Sequence, residues 1–154
     1  MGKINSRAKG AAGEREFIKE LALELGDELV APLKRNLEQT RAGGHDIVGL
    51  EGFAIEIKRY KQIREGDLAK FWDQAVDQAH RISAKPVLAY REDFKSWRVR
   101  VRLTDLVVDS WFPSASWSII WTAEISMTAF AGLVREQHSA TQLHEKKSPD
   151  TLSA

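Results

Sequence analysis

The chain has 154 residues, enough for one domain of ordinary size with a real core. It carries 23 Lys and Arg against 22 Asp and Glu, a net charge of +1, and no cysteine. A disulfide framework, a thiolate metal centre and a Cys nucleophile are excluded, and any contact with nucleic acid must use a local basic patch rather than overall charge.

The first ten residues, MGKINSRAKG, are basic with no apolar segment behind them, so they are not read as a secretory signal. No apolar run is long enough to span a bilayer, and a cytoplasmic location without membrane contact is expected. Residues 8–25 read as a helix ended by Gly26. Ile18, Leu21 and Leu25 form its apolar stripe, with Glu14 on the same stripe one turn before Ile18. Gly10 lies one turn earlier, where a backbone could approach closely; Glu16, Glu20 and Glu24 line a face expected to be solvated. Residues 29–37 read as an edge strand, because Pro32 cannot donate to a ladder, and the polar stretch 38–44 as a loop.

Two strands, 46–50 and 53–58, follow, joined through Glu51-Gly52. Residues 65–83 return to the helical period, with Leu68, Phe71, Trp72, Ala75, Ala79 and Ile82 on one stripe. The nearly all-apolar segment 86–91 suits a sheet interior. Residues 97–103 alternate strictly, with Trp97, Val99, Val101 and Leu103 on one face and Arg98, Arg100 and Arg102 on the other. Residues 117–125 read as a last strand, and Ser126 as the cap of a short helix carrying Met127, Phe130, Leu133 and Val134. The expected organisation is one domain over 1–137 and a polar, disordered tail over 138–154. Helix, strands, helix, strands, helix is the order of an α/β protein, a central mixed sheet flanked by helices.

The segment GGHDIVGLEGFAIEIKRYK places charge inside an otherwise apolar hairpin. A three-residue loop over Leu50–Gly52 sets Ile47 opposite Ile55 and Asp46 beside Glu56, burying the isoleucines together; a two-residue loop would put Ile47 opposite Glu56. Neighbouring carboxylates repel unless a cation or proton lies between them. Oxygen ligands favour a hard ion such as Mg²⁺ or Mn²⁺, which can polarise a phosphoryl oxygen and acidify water. Lys58, on the same face as Glu56, can steady the attacking water or the growing charge. Glu14 is a further acid within reach of such a site. The bland alternative is that Glu56-x-Lys58 is a solvated strand face.

The runs KGAAGEREF, GGHDIVG, AIEIK and FWDQAVDQA, in that order, resemble the PD-(D/E)xK nuclease superfamily, and within it the archaeal-type Holliday junction resolvases and their phage-encoded relatives. The resemblance covers residues 7–104. It implies a restriction-endonuclease-like core in which Asp46, Glu56 and Lys58 are the catalytic acid, acid and lysine, and Glu14 the acid on the first helix. It further implies that the Ile57 carbonyl touches the metal, that Gln74 supports the site, and that a homodimer nicks branched DNA with Mg²⁺. His45 stands where the motif has proline, and the residues after 104 show no match.

Lys3, Arg7, Lys9, Arg15, Arg59 and Lys61 are the expected DNA contacts. Arg98, Arg100 and Arg102 read equally as phosphate grips or as a charged shield for a sheet edge. Gln74 and Gln78, one turn apart, read as site residues or as boundary residues. His45 reads as a loop residue, and Trp72, Trp97, Trp117 and Trp121 as core or interface. A metal-dependent endonuclease that resolves four-way DNA is the leading reading. A repair or restriction-type nuclease, a non-catalytic nucleic-acid binder and a protein-interaction module are the alternatives.

Overall fold

The computed structural model describes residues 6–26, 32–37, 44–107 and 117–147. The first helix, α1, spans Ser6–Leu25, and Gly26 beyond it takes a φ of 58°, the left-handed turn that stops a helix where glycine allows it. β1 (Lys34–Arg35) pairs antiparallel with β2 (Ile47–Val48) in a small sheet of its own. The main sheet has four strands in the order β3 (Phe53–Tyr60), β4 (Lys85–Glu92), β5 (Arg98–Arg102) and β6 (Thr122–Ser126). β3 and β4 run parallel and the other pairs antiparallel, so the sheet is mixed as expected. The crossover between β3 and β4 is α2 (Glu65–Ile82), and the chain ends its described part in α3 (Met127–Lys147).

Alternation along the strands sorts the core into two layers. Phe53, Ile55 and Ile57 of β3, Val87 and Ala89 of β4, and Val99 and Val101 of β5 pack with Phe17 and Leu21 of α1 and Phe130 of α3. Phe17 is fully buried and meets Trp97 edge-to-face at 5.1 Å. Burying a ring of that size contributes about 1.5–3 kcal/mol. Leu88 and Tyr90 point the other way, onto Trp72 and Ala75 of α2. β4 is buried on both faces, which is why its sequence is nearly all apolar. α2 begins where the Asp67 carboxylate accepts the Arg64 N–H at 3.0 Å, and ends at Ser83, left-handed at φ 53°.

Several expectations need correction. Residues 46–50 and 53–58 do not form a regular hairpin. Phe53 N–H closes the turn onto the Leu50 carbonyl at 3.5 Å, and Asp46 N–H donates to the Ile55 carbonyl at 2.8 Å. Between these anchors one arm carries Ile47, Val48 and Gly49 and the other only Ala54, so the first arm bulges, with Gly49 at φ 108°. Of the expected strand 29–37, only Lys34–Arg35 is a strand; residues 27–31 and 38–43 lie outside the described residues. Close approach to α1 occurs at Gly13, where a Cβ would sit 3.0 Å from the Arg59 Cβ, and not at Gly10, which has open space around it.

Glu16 and Glu20 are not merely solvated. Glu16 pairs with Arg59 at 3.1 Å and with Arg91 at 2.7 Å, Glu20 with Arg91 at 3.7 Å, while Glu24 accepts from Thr128 at 3.1 Å. The final helix is not short. Ser126 Oγ caps it, accepting the Ala129 N–H at 3.1 Å, but it runs past Gln137 to Lys147 on a polar sequence, and residues 148–154 lie outside the described residues. Arg98, Arg100 and Arg102 shield no edge, because β5 is an interior strand. They lie on the α2 side of the sheet, with Arg98 on Glu124 at 3.4 Å, Arg100 on Thr122 at 2.9 Å and Arg102 on Asp105 at 2.8 Å.

Candidate active site

Asp46 and Glu56, 3% and 5% exposed, are the buried charged side chains among the described residues. A buried carboxylate is costly unless hydrogen bonds or cations compensate it. Asp46 is held by the strand it flanks: its N–H bonds to the Ile55 carbonyl, and its Oδ2 accepts the Ile57 N–H at 2.6 Å. It therefore brackets Glu56 from both sides. Asn36 fixes the other side of this turn, donating its N–H to the Asp46 carbonyl at 2.8 Å and its amide to the His45 carbonyl at 3.0 Å.

Glu56 projects onto the α2 side of β3, with Ala54 and Lys58. Its Oε1 lies 2.5 Å from Lys58 Nζ, and its Oε2 accepts from Gln78 Nε2 at 2.5 Å. The Lys58 ammonium also lies 5.2 Å from the centre of the Phe71 ring. Glu56 and Lys58 thus meet on β3, an edge strand of the main sheet, while Asp46 is anchored to the backbone on either side of Glu56. Burial pushes the pKa of the His45 imidazole below its usual 6.5.

The remaining expected site residues divide. Glu14 does not join the other two acids directly: its Oε2 is 2.5 Å from Arg35 Nε, and Arg35 is the ladder partner of Ile47 next to Asp46. Gln74 is exposed; the glutamine on Glu56 is Gln78, one turn later on α2. Lys9 and Arg59 are engaged by acids, Lys9 with Asp93 at 3.3 Å and Arg59 with Glu16 and Asp93. Arg15 and Lys61 are exposed. Lys3 lies outside the described residues, as does the side chain of Arg7.

No three His, Asp or Glu side chains form a ligand cluster among the described residues. The donor chemistry still fits a hard divalent ion. Mg²⁺ is held by one or two carboxylates and completes its shell with water and substrate phosphate oxygens, and Asp46 and Glu56 supply two carboxylates beside the Ile57 backbone.

A sequence profile of the family described as "Phage putative PDDEXK endonuclease" matches residues 5–134, most of the chain. The chain belongs to that family, and with it to the PD-(D/E)xK nuclease superfamily. A search of the curated proteins gave no significant match. Among solved structures the chain is similar to Hjc, a Holliday junction resolvase from the hyperthermophilic archaeon Archaeoglobus fulgidus, at 20% identity over 80% of this chain and 96% of that one, with a TM-score of 0.47. No helix among the described residues is long and apolar enough to cross a membrane.

Proposed function

We propose that the chain is a divalent-metal-dependent DNA endonuclease acting on branched DNA, with the four-way Holliday junction as its first substrate and a homodimer as its working form. The observation that carries the catalytic reading is the burial of two acids on neighbouring backbone, Asp46 on the Ile57 N–H and Glu56 one residue before it, with Lys58 on Glu56. A solvated strand face would leave both acids in water, and a pure nucleic-acid binder has no use for buried acids.

In this reading Asp46, Glu56 and the Ile57 carbonyl hold Mg²⁺ or Mn²⁺, with Glu14 contributing once Arg35 yields it. The ion supplies Lewis acidity toward a phosphoryl oxygen and toward water. Lys58 leaves Glu56 to donate to the water or to the developing phosphorane charge. Gln78 holds the Glu56 carboxylate from α2 and takes the supporting role expected of Gln74. Arg15 and Lys61, exposed, contact phosphates, joined by Lys3 and Arg7; Lys9 and Arg59 do so only by exchanging their acids for DNA.

The test is to incubate the protein with four-way-junction, duplex and single-stranded DNA, with Mg²⁺, with Mn²⁺ and with chelator. Paired symmetric nicks confined to the junction support resolution. Cutting of all three substrates replaces it with a repair or restriction-type activity on the same fold. No cutting with either ion rejects the catalytic reading.

A further inference from the structure

We propose that a cationic cavity at the far end of α2 is a phosphate subsite for the DNA strand leading away from the candidate active site. The proposal rests on the reading of the chain as a DNA-acting protein and extends it to residues with no assigned role. The cavity, about 470 Å³, is lined by His80, Lys85, Arg102, Trp117 and Gln137, and by no acid among the described residues. Arg102 is balanced by Asp105, so the charge that an anion would meet here is the Lys85 ammonium, with the Arg102 fork and the His80 ring beside it.

The hollow is built from the core outward. Trp72, fully buried, donates its indole N–H to the Trp117 carbonyl at 2.7 Å and so fixes the aromatic wall. The Arg102 guanidinium carbon and the His80 ring each lie 4.1 Å from the centre of the Trp117 ring. Arg102 is held in place by Asp105 through two bonds of 2.8 Å, which orders its planar fork. Lys85 donates to Gln137 at 2.5 Å and pairs with no carboxylate among the described residues, leaving ammonium donors for an oxygen ligand.

The position ties it to the acids. A second hollow of about 280 Å³ shares Gly52, Ser83 and Ala84 with the first and extends to His45, the neighbour of Asp46. The two hollows adjoin at Gly52, Ser83 and Ala84, and the second, which Glu51 also lines, stops one residue short of Asp46. Lys85 is the ladder partner of Phe53, three residues before Glu56. That separation is about 10 Å along the strand. The separation is an odd number of residues, so the Lys85 side chain leaves the sheet on the α3 side, against Phe53 and Gln137, and Glu56 on the α2 side; a strand that touches both passes round the end of the sheet.

The test is the salt dependence of binding. A fluorescent four-way junction is bound to the full chain in Ca²⁺, and log K is plotted against log salt for wild type, Lys85→Gln, Lys85→Arg and the exposed control Lys19→Gln. One lost phosphate contact flattens the slope by about 0.9, so over a fourfold rise in salt Lys85→Gln loses about 3.5-fold less affinity than wild type. Lys85→Arg and Lys19→Gln keep the wild-type slope. Parallel plots for wild type and Lys85→Gln overturn the subsite; if wild type still cuts DNA, the nuclease reading survives that result. A flattened slope with no cleavage by wild type keeps the subsite and removes the nuclease. A wild type that retains no DNA at low salt removes both.

Discussion

The Asp46 carboxylate accepts the Ile57 backbone N–H at 2.6 Å, one residue beyond the acid it is proposed to work with. Structure and chemistry are therefore loaded onto the same oxygen, and two substitutions separate them. Asp46→Asn keeps an acceptor for Ile57 but removes the charge. Cleavage falls by roughly 10²-fold or more, the scale of losing one electrostatic group, with little change in thermal unfolding. Asp46→Ala also strands the buried N–H and destabilises by about 1–3 kcal/mol. Equal melting of the two variants would show that the hydrogen bond carries no stability.

Gln78 holds Glu56 Oε2 while exposed Gln74 does not touch it. Gln78→Leu is expected to raise the Mg²⁺ concentration needed for half-maximal cleavage by about 10–100-fold, the usual effect of removing a group that orients a ligand. Gln74→Leu leaves the titration unchanged. A Gln74→Leu curve shifted as far as that of Gln78→Leu contradicts the assignment.

Two glycines of α1 give opposite expectations. Gly10 has open space at its Cβ position, so Gly10→Ala stabilises by about 0.5–1 kcal/mol through helix propensity. In a chain of this size 1 kcal/mol is worth about 2–4 °C in Tm. Gly13 faces the Arg59 Cβ at 3.0 Å, an atom fixed to β3, and α1 must lift off the sheet to admit a larger group. Gly13→Val is expected to cost about 1–3 kcal/mol in denaturant unfolding.

Glu92 sets an acid-side dependence. Its carboxylate accepts the Ile63 N–H at 2.9 Å and pairs with Lys95, which together hold its pKa below the usual 4.5. The folded state binds this proton less readily than the unfolded one. The stability it confers is present above pH 4.5 and is lost as pH falls through the lower folded value. Glu92→Gln keeps an acceptor for Ile63 and removes the titration. Its Tm should lie below that of wild type at neutral pH, with the two curves converging below pH 4.5.

The elements that the sequence made legible are those governed by local period. The stripe ending at Ala79, the two-sided apolar run of β4 and the alternation of β5 all follow from which side chains must be buried, and the helices and mixed sheet follow from them. Ile82, on the same stripe, is 44% exposed because α2 ends there and the sheet no longer covers it. Long-range register was not legible. The period does not say that β3 takes β4 as its ladder partner while the preceding arm bulges around Gly49, so Asp46 reaches the Ile57 N–H instead of standing squarely opposite Glu56. Gln74 and Gln78 share a helix flank. Only the height of α2 against β3, fixed by docking, decides which one meets Glu56. Arg35 is invisible as the partner of Glu14 because the two meet through docking of β1 beside α1, which no local period encodes.

The crossover has a consequence during synthesis. Glu56 has Leu88 as its partner across the sheet, and Leu88 leaves the ribosome only after the whole of α2. Until then a nascent chain lacks the neighbouring strand that completes the surroundings of this acid, even once Gln78 has been made. The surroundings of Glu56 are thus completed by residues on both sides of the crossover, and order there arrives with the parallel pair rather than with either segment alone.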